Sequence, residues 1–204
     1  TLDPIDGTKG FLRKQQYAVA LALIEDGAVV FGALVCPNMA HDLDDLDSDV
    51  GSVFYATRGG GAFFSPLAGG VTRPIAVQEE PFRFCESVEK AHSSHSLSAQ
   101  IAQKMSITAE PIRMDSQAKY ALVAQGQAAI YMRLPTHIDY VEKVWDHAAG
   151  WIVITEAGGR VSDISGKELD FSCGRFLERN RGVLASCGGA VHQRLLSAIA
   201  ELNV

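Results

Sequence analysis

The sequence predicts a mixed α+β and α/β protein in which an antiparallel sheet comes first and a mixed α/β subdomain follows. Three observations carry this. Two apolar runs, Tyr17 to Ile24 and Ala28 to Val35, flank a short turn; a second pair of short apolar runs flanks a glycine triplet; and beyond about Phe82 strand-like and helix-like segments alternate.

Glu25-Asp26-Gly27 separates the first pair of runs. Asp-Gly is preferred in tight hairpin turns because both central residues need positive φ. Val53 to Ala56 and Ala62 to Phe64, on either side of Arg58-Gly59-Gly60-Gly61, read as a second hairpin. Between the hairpins, His41 to Asp49 carries five aspartates. A calcium loop would need Gly where Val50 stands and a bidentate Glu where Ala56 stands, so this segment reads as a solvated loop. Gly, Pro and charge collect from Gly70 to Glu80, which divides the chain into residues 1–75 and residues 76–204.

In the second part, Pro111 to Met114 reads as a short strand. Ser116 to Gln125 reads as a helix with Ser116 as N-cap and Gly126 just past its end. Ala128 to Met132 is an apolar stretch, and Asp146 opens a helix that runs to Ala157 ahead of Gly158-Gly159. Val161 to Asp163 and Gly182 to Ser186 supply further strands, and Val191 to Leu202 is an amphipathic closing helix.

With 204 residues, 47% hydrophobic and 21% charged, the chain can build a real core. No apolar run approaches the ~18 residues of a membrane span. A net charge of -6 argues against a nucleic-acid coat, which needs clustered Lys and Arg. Neither a nucleic-acid nor a membrane partner is therefore expected; a monomer with a small-molecule partner is the expectation. Cys36, Cys85, Cys173 and Cys187 are scattered, with no zinc spacing, as suits a reducing compartment. The chain opens at Thr1 with a motif already under way and no targeting segment in view. An upstream segment is accordingly expected, and the expected location is the cytoplasm or an organelle such as a chloroplast or mitochondrion.

Two constellations carry the chemistry. In Leu2-Asp3-Pro4-Ile5-Asp6-Gly7-Thr8-Lys9-Gly10, Pro4 fixes its own φ and biases Asp3 toward an extended conformation, so Asp3 and Asp6 can converge from a stiff turn while Gly7 permits close backbone approach. Such hard oxygen ligands suit Mg²⁺. A bare D-x-x-D also fits a polar turn that caps the next segment; the full string is more specific. In Trp145-Asp146-His147-Ala148-Ala149-Gly150, Asp146 can cap a helix or supply a third carboxylate to a metal, with small residues following.

These two strings resemble the signatures of the inositol monophosphatase superfamily, metal-dependent and lithium-sensitive phosphomonoesterases. Lys9 to Arg13, Val88 to His95, Asp115-Ser116-Gln117-Ala118-Lys119-Tyr120 and Arg133-Leu134-Pro135 look like its 3′(2′),5′-bisphosphate nucleotidase branch. That branch removes the 3′-phosphate from 3′-phosphoadenosine 5′-phosphate to leave AMP, in sulfur assimilation. The resemblance implies the later part of a layered αβαβα sandwich. It implies two or more Mg²⁺ ions, inhibition by Li⁺, and metal ligation by Asp3, the Ile5 carbonyl, Asp6 and Asp146. Asp6 and Thr8 become the catalytic residues, with Thr8 helping to activate water, and the amides after Gly7 cradle the scissile phosphate. His92, Ser116, Lys119 and Arg133 become contacts to the nucleotide and its second phosphate.

The chemistry agrees with a metal enzyme. Phosphate-monoester hydrolysis needs acceleration of up to ~10²¹-fold, whereas acid–base catalysis supplies only ~10² to 10⁴. Two metal ions can supply much of the remainder. Gly59-Gly60-Gly61 lacks the Lys-Ser/Thr of a P-loop and reads as a turn. Complete members of the family carry an upstream Glu-Glu motif and a water-polarising Asp, neither of which is among these residues; Glu79-Glu80 follows the motif instead. The resemblance thus implies an active whole protein, weak metal binding and little turnover for these 204 residues alone, and an exposed apolar face on the first sheet. The alternatives are an inositol mono- or polyphosphate phosphatase and an inactive nucleotide-binding fragment.

Overall fold

A computed structural model describes residues 1–88, 95–135, 137 and 139–202. The first sheet is a six-stranded antiparallel meander, β1 (Leu2–Asp6), β2 (Ala18–Glu25), β3 (Ala28–Ala40), β4 (Val50–Thr57), β5 (Gly61–Pro66) and β6 (Arg73–Ile75), in sequence order. The Asp-Gly turn behaves as its chemistry demands: Glu25 pairs with Ala28, and Asp26 and Gly27 have φ of 50° and 77°. The glycine triplet is a turn as well. The amides of Gly59 and Gly61 donate to the Glu156 carboxylate at 2.8 and 3.0 Å, tying this hairpin to a helix of the second part.

The second sheet is mixed and runs in the order β10 (Arg160–Ser162), β11 (Val183–Ser186), β9 (Ile130–Arg133), β7 (Phe84–Glu86), β8 (Ile112–Arg113). β7 lies parallel to β8 and β9; β11 is antiparallel to β9 and β10. Two helices, α3 (Ala118–Ala124) and α4 (Ala148–Glu156), pack between the sheets. Every residue of α3 is buried. α2 (His95–Lys104) and α5 (Gly189–Glu201) cover the far side through Ile101, Leu195 and Ile199 against Ile130 and Leu184. A five-residue helix, α1 (Thr8–Leu12), follows β1. The described residues thus stack as sheet, helices, sheet, helices, an αβ layered fold. Among them, no helix is long and apolar enough to cross a membrane.

Alternation along β2 points Ala18, Ala20 and Ala22 into the core and Leu21 and Leu23 outward, where they are 44% and 50% exposed. Register continues the outer row from Leu2 through Leu21, Ala33 and Tyr55 to Phe63. The expected apolar face on the first sheet is present, and it is an association-prone surface.

Two local expectations are corrected. Ser116 does not open α3; it sits at φ 72°, its hydroxyl accepts the Ala118 N–H at 3.2 Å, and the helix begins two residues later. Asp146 does not open α4; it closes a 3₁₀ turn, Val144–Asp146, and His147 intervenes. The aspartate-rich segment is a largely exposed loop, as expected, and it is also latched, because Asp44 accepts two bonds from Arg83 Nη2 at 3.1 and 2.8 Å and Asp42 accepts Gln127 Nε2 at 2.6 Å. Sequence spacing cannot see these long-range partners.

On α5, His192 is fully buried, with Nε2 2.7 Å from Ser162 Oγ and Nδ1 2.9 Å from Ser186 Oγ. Burial, with Arg160 nearby, lowers its pKa to about 4. An unfolded histidine titrates near 6.5, so the neutral native form is fully favoured above that pH, and stability is lost as pH falls from there toward 4. Between about pH 7.5 and about pH 5 the protein should lose about 2 kcal/mol more than a His192→Asn variant in urea unfolding. Equal losses in the two proteins would contradict this.

Candidate metal centre

Residues three apart in a regular strand point to opposite faces. Asp3 pairs with Ala20 but Asp6 with Ala18, so three steps along β1 match two along β2. This bulge resets the side-chain phase and lets both carboxylates face one site. Pro4 is tolerated because β1 is an edge strand. Asp3 Oδ1 accepts the Ile5 N–H at 3.1 Å, and the Thr8 hydroxyl donates to the Ile5 carbonyl at 3.2 Å. Gly7, at φ 82°, brings its backbone against Ser116; a Cβ there would lie 2.9 Å from Ser116 Cβ.

The third carboxylate arrives from the other part of the chain. Carboxylate oxygens of Asp3, Asp6 and Asp146 all lie within 4.8 Å of one another. Gln117 joins the two sides: its N–H donates to Asp6 Oδ2 at 2.5 Å, its Nε2 to the Trp145 carbonyl at 2.7 Å, and its Oε1 accepts the Gly150 N–H at 3.1 Å. Asp146 is therefore registered against Asp6 through one buried amide.

Burial pushes the Asp6 carboxyl up to about 6, against the Gln117 N–H and Lys119, while Asp146 and Asp3 push the same way as burial. Asp3 is raised too, first by burial, with the Ile5 N–H opposing and Asp146 adding. Three crowded carboxylates, two of them with raised affinity for protons, Asp3 and Asp6, form a site short of positive charge. All-oxygen donors of this kind suit a hard divalent cation.

Beside them lies a cavity of about 220 Å³ lined by Asp6, Gly7, Thr8, Ser116, Lys119, Arg133 and Asp146 among others. Seven of the residues singled out in the sequence therefore meet at one opening, and Asp3 joins through its carboxylate. The Ile5 carbonyl faces the Thr8 hydroxyl. His92 lies outside the described residues.

Lys119 is no ordinary surface cation. It is buried, its ammonium donates to the carbonyls of Met114 and Ser116 at 3.0 and 2.7 Å, and burial lowers its pKa while Asp6 opposes. Arg133 is held by Glu142 at 3.0 Å and by the Tyr140 hydroxyl at 2.8 Å; Glu142 keeps it firmly protonated although burial acts the other way.

Nothing in the sequence by itself assigns a role to Gln117, Glu142 or Tyr120. The same holds for the link between Arg13 and buried Asp115, whose Nη2 and Oδ2 are 2.5 Å apart. The available signal is membership of, or adjacency to, the strings quoted above: Arg13 closes Lys9 to Arg13, Asp115, Gln117 and Tyr120 lie in Asp115 to Tyr120, and Glu142 shortly precedes Trp145-Asp146-His147.

Comparison with known proteins follows the same lines. A model of the inositol monophosphatase family matches residues 1–203. A rice protein (Oryza sativa) named 3′(2′),5′-bisphosphate nucleotidase is 51% identical over 195 residues, covering 91% of this chain and 54% of that protein. A Schizosaccharomyces pombe protein of the same name is 45% identical over 210 residues, covering 100% of this chain and 59% of its own. The chain thus spans a little over half the length of these curated relatives. Among solved structures, an IMPase from Thermotoga maritima superposes with a TM-score of 0.68 at 24% identity, covering 98% of this chain and 67% of its own. An inositol monophosphatase from Anabaena gives 0.68 at 22% identity, covering 98% and 72%. At that identity the structures speak to the fold alone.

Proposed function

The chain belongs to the inositol monophosphatase family, and from that premise we propose that the whole protein is a Mg²⁺-dependent phosphomonoesterase hydrolysing the 3′-phosphate of 3′-phosphoadenosine 5′-phosphate to AMP and phosphate. The observation that carries this reading is the meeting of Asp3, Asp6 and Asp146 at the edge of a cavity that also presents Lys119 and Arg133. The names of the 45% and 51% identical relatives support the choice of a nucleotide over an inositol phosphate.

Asp3, Asp6, Asp146 and the Ile5 carbonyl would hold Mg²⁺. When bound, the metal supplies neutralisation of phosphoryl charge and acidification of water. The chain's own residues do the remainder. Thr8 donates its hydroxyl proton to the Ile5 carbonyl, so its oxygen is left as an acceptor that orients a water toward the cavity. Backbone amides after Gly7 can donate to the scissile phosphate. Lys119 commits two of its three N–H bonds to carbonyls, which aims the ammonium and keeps it from swinging away. Its charge and that of Arg133 suit a second phosphate, which an inositol monophosphate lacks.

Phosphate release from the nucleotide bisphosphate and from inositol 1-phosphate tests this reading, each with Mg²⁺ and with Li⁺ added. The whole protein is expected to prefer the nucleotide, to require Mg²⁺ and to be slowed by Li⁺. Hydrolysis of the inositol phosphate alone, or of neither, would overturn it.

A further inference from the structure

We infer that Glu142 is a positioning residue that holds the Arg133 guanidinium off Asp146 and so keeps that carboxylate available to a divalent cation. The inference rests on the metal role proposed above for Asp146.

A chain of four polar groups, three of them buried, runs from the helix layer to the cavity. The Tyr120 hydroxyl lies 2.7 Å from His147 Nδ1, His147 Nε2 lies 3.0 Å from Glu142 Oε2, and the same Oε2 lies 3.0 Å from Arg133 Nε. Glu142, His147 and Tyr120 are at most 3% exposed. An ionised carboxylate only accepts, so His147 donates from Nε2 and its Nδ1 accepts the Tyr120 hydroxyl. Glu142 is therefore fixed in place by the core and, in turn, fixes Arg133.

What it fixes Arg133 against is the nearby Asp146. Arg133 Nη2 donates to the Tyr140 hydroxyl at 2.8 Å and stands 3.7 Å from Asp146 Oδ2. The guanidinium is only 17% exposed, and a buried cation that loses its counter-ion must find another. Asp146 is the carboxylate placed to take over. A guanidinium closed onto Asp146 would compete with a cation for the same oxygen. Glu142 thus separates two roles that crowd one edge of the cavity, anion binding by Arg133 and cation binding by Asp146.

The test is Mg²⁺ binding without substrate, followed by titration calorimetry on the whole protein. It compares the unsubstituted protein with Glu142→Gln, Arg133→Gln and the double variant. The amide oxygen introduced by Glu142→Gln can still accept from His147, so the core link is retained. Glu142→Gln is expected to weaken Mg²⁺ binding about 10- to 100-fold, and the added Arg133→Gln to restore it to the level of Arg133→Gln alone. A merely structural role for Glu142 would show no such rescue. If Glu142→Gln does not fold, Tyr140→Phe, which frees the same Nη2, is expected to weaken binding in the same rescued manner. Unchanged Mg²⁺ binding in the variant that folds, or a double variant that binds as poorly as its single parent, overturns the inference alone. Absence of saturable Mg²⁺ binding by the unsubstituted protein overturns the metal reading and this inference with it.

Discussion

Asp6→Asn is expected to abolish Mg²⁺-dependent stabilisation and to lower phosphate release by the whole protein about a thousandfold or more, close to 4 kcal/mol of lost transition-state stabilisation. The environment of Asp6 raises its pKa to about 6 chiefly through burial. The asparagine oxygen can still accept the Gln117 N–H that Asp6 Oδ2 takes at 2.5 Å, so the local backbone keeps its anchor. What changes is the charge, and one oxygen becomes a donor that no cation will accept. Stability should move the other way. A carboxylate with a raised native pKa costs stability once ionised, and that cost is present above the native pKa and vanishes below the unfolded one. Removing the charge should therefore raise metal-free stability near neutral pH by about 1–3 kcal/mol. Thermal melts of both proteins with and without Mg²⁺ read this directly; a variant that still gains stability from Mg²⁺ would refute it.

Gly150→Ala is expected to destabilise the protein by about 3 kcal/mol, a fall in melting temperature of roughly 6–12 °C. Helix propensity alone predicts the opposite, a gain of about 1 kcal/mol for Ala over Gly within α4. Packing decides the sign. A Cβ at Gly150 would lie 2.3 Å from Cγ and Cδ2 of Tyr120 and 2.7 Å from its Cβ. Tyr120 is fully buried and cannot yield cheaply: its hydroxyl is engaged by His147, and its ring meets Tyr131 edge-on at 4.9 Å. Either α3 and α4 separate or Tyr120 leaves its rotamer. Both movements reach Asp146, which is tied to α3 through Gln117, so Mg²⁺ affinity should fall as well. A variant that melts at or above the unsubstituted protein would show that the helix layer is looser than this geometry.

Features determined by neighbours in the chain are legible in advance. The Asp-Gly hairpin, the glycine-triplet turn and the two carboxylate strings each depend on a few adjacent residues and their φ preferences. Helix starts fare worse, because Ser116 and Asp146 have the chemistry of caps but are drawn into the site instead, one against Gly7 and the other against Asp3 and Asp6. The burial of Lys119 is not legible in the sequence, because it depends on the second sheet and on carbonyls that only the folded chain brings close.

By itself the sequence determined which groups are available: three aspartates in two recognisable strings, a lysine and an arginine in two others, and alternating apolar residues that make one sheet face a core. Only the tertiary structure decided that these groups share one cavity, that a bulge turns Asp3 and Asp6 to the same side, and that Glu142 holds Arg133 beside Asp146. The reason is physical. Local preferences act over a turn or two of chain, whereas residues far apart in sequence meet only where two sheets close on a buried helix layer, and that closure is set by side-chain packing across the whole core.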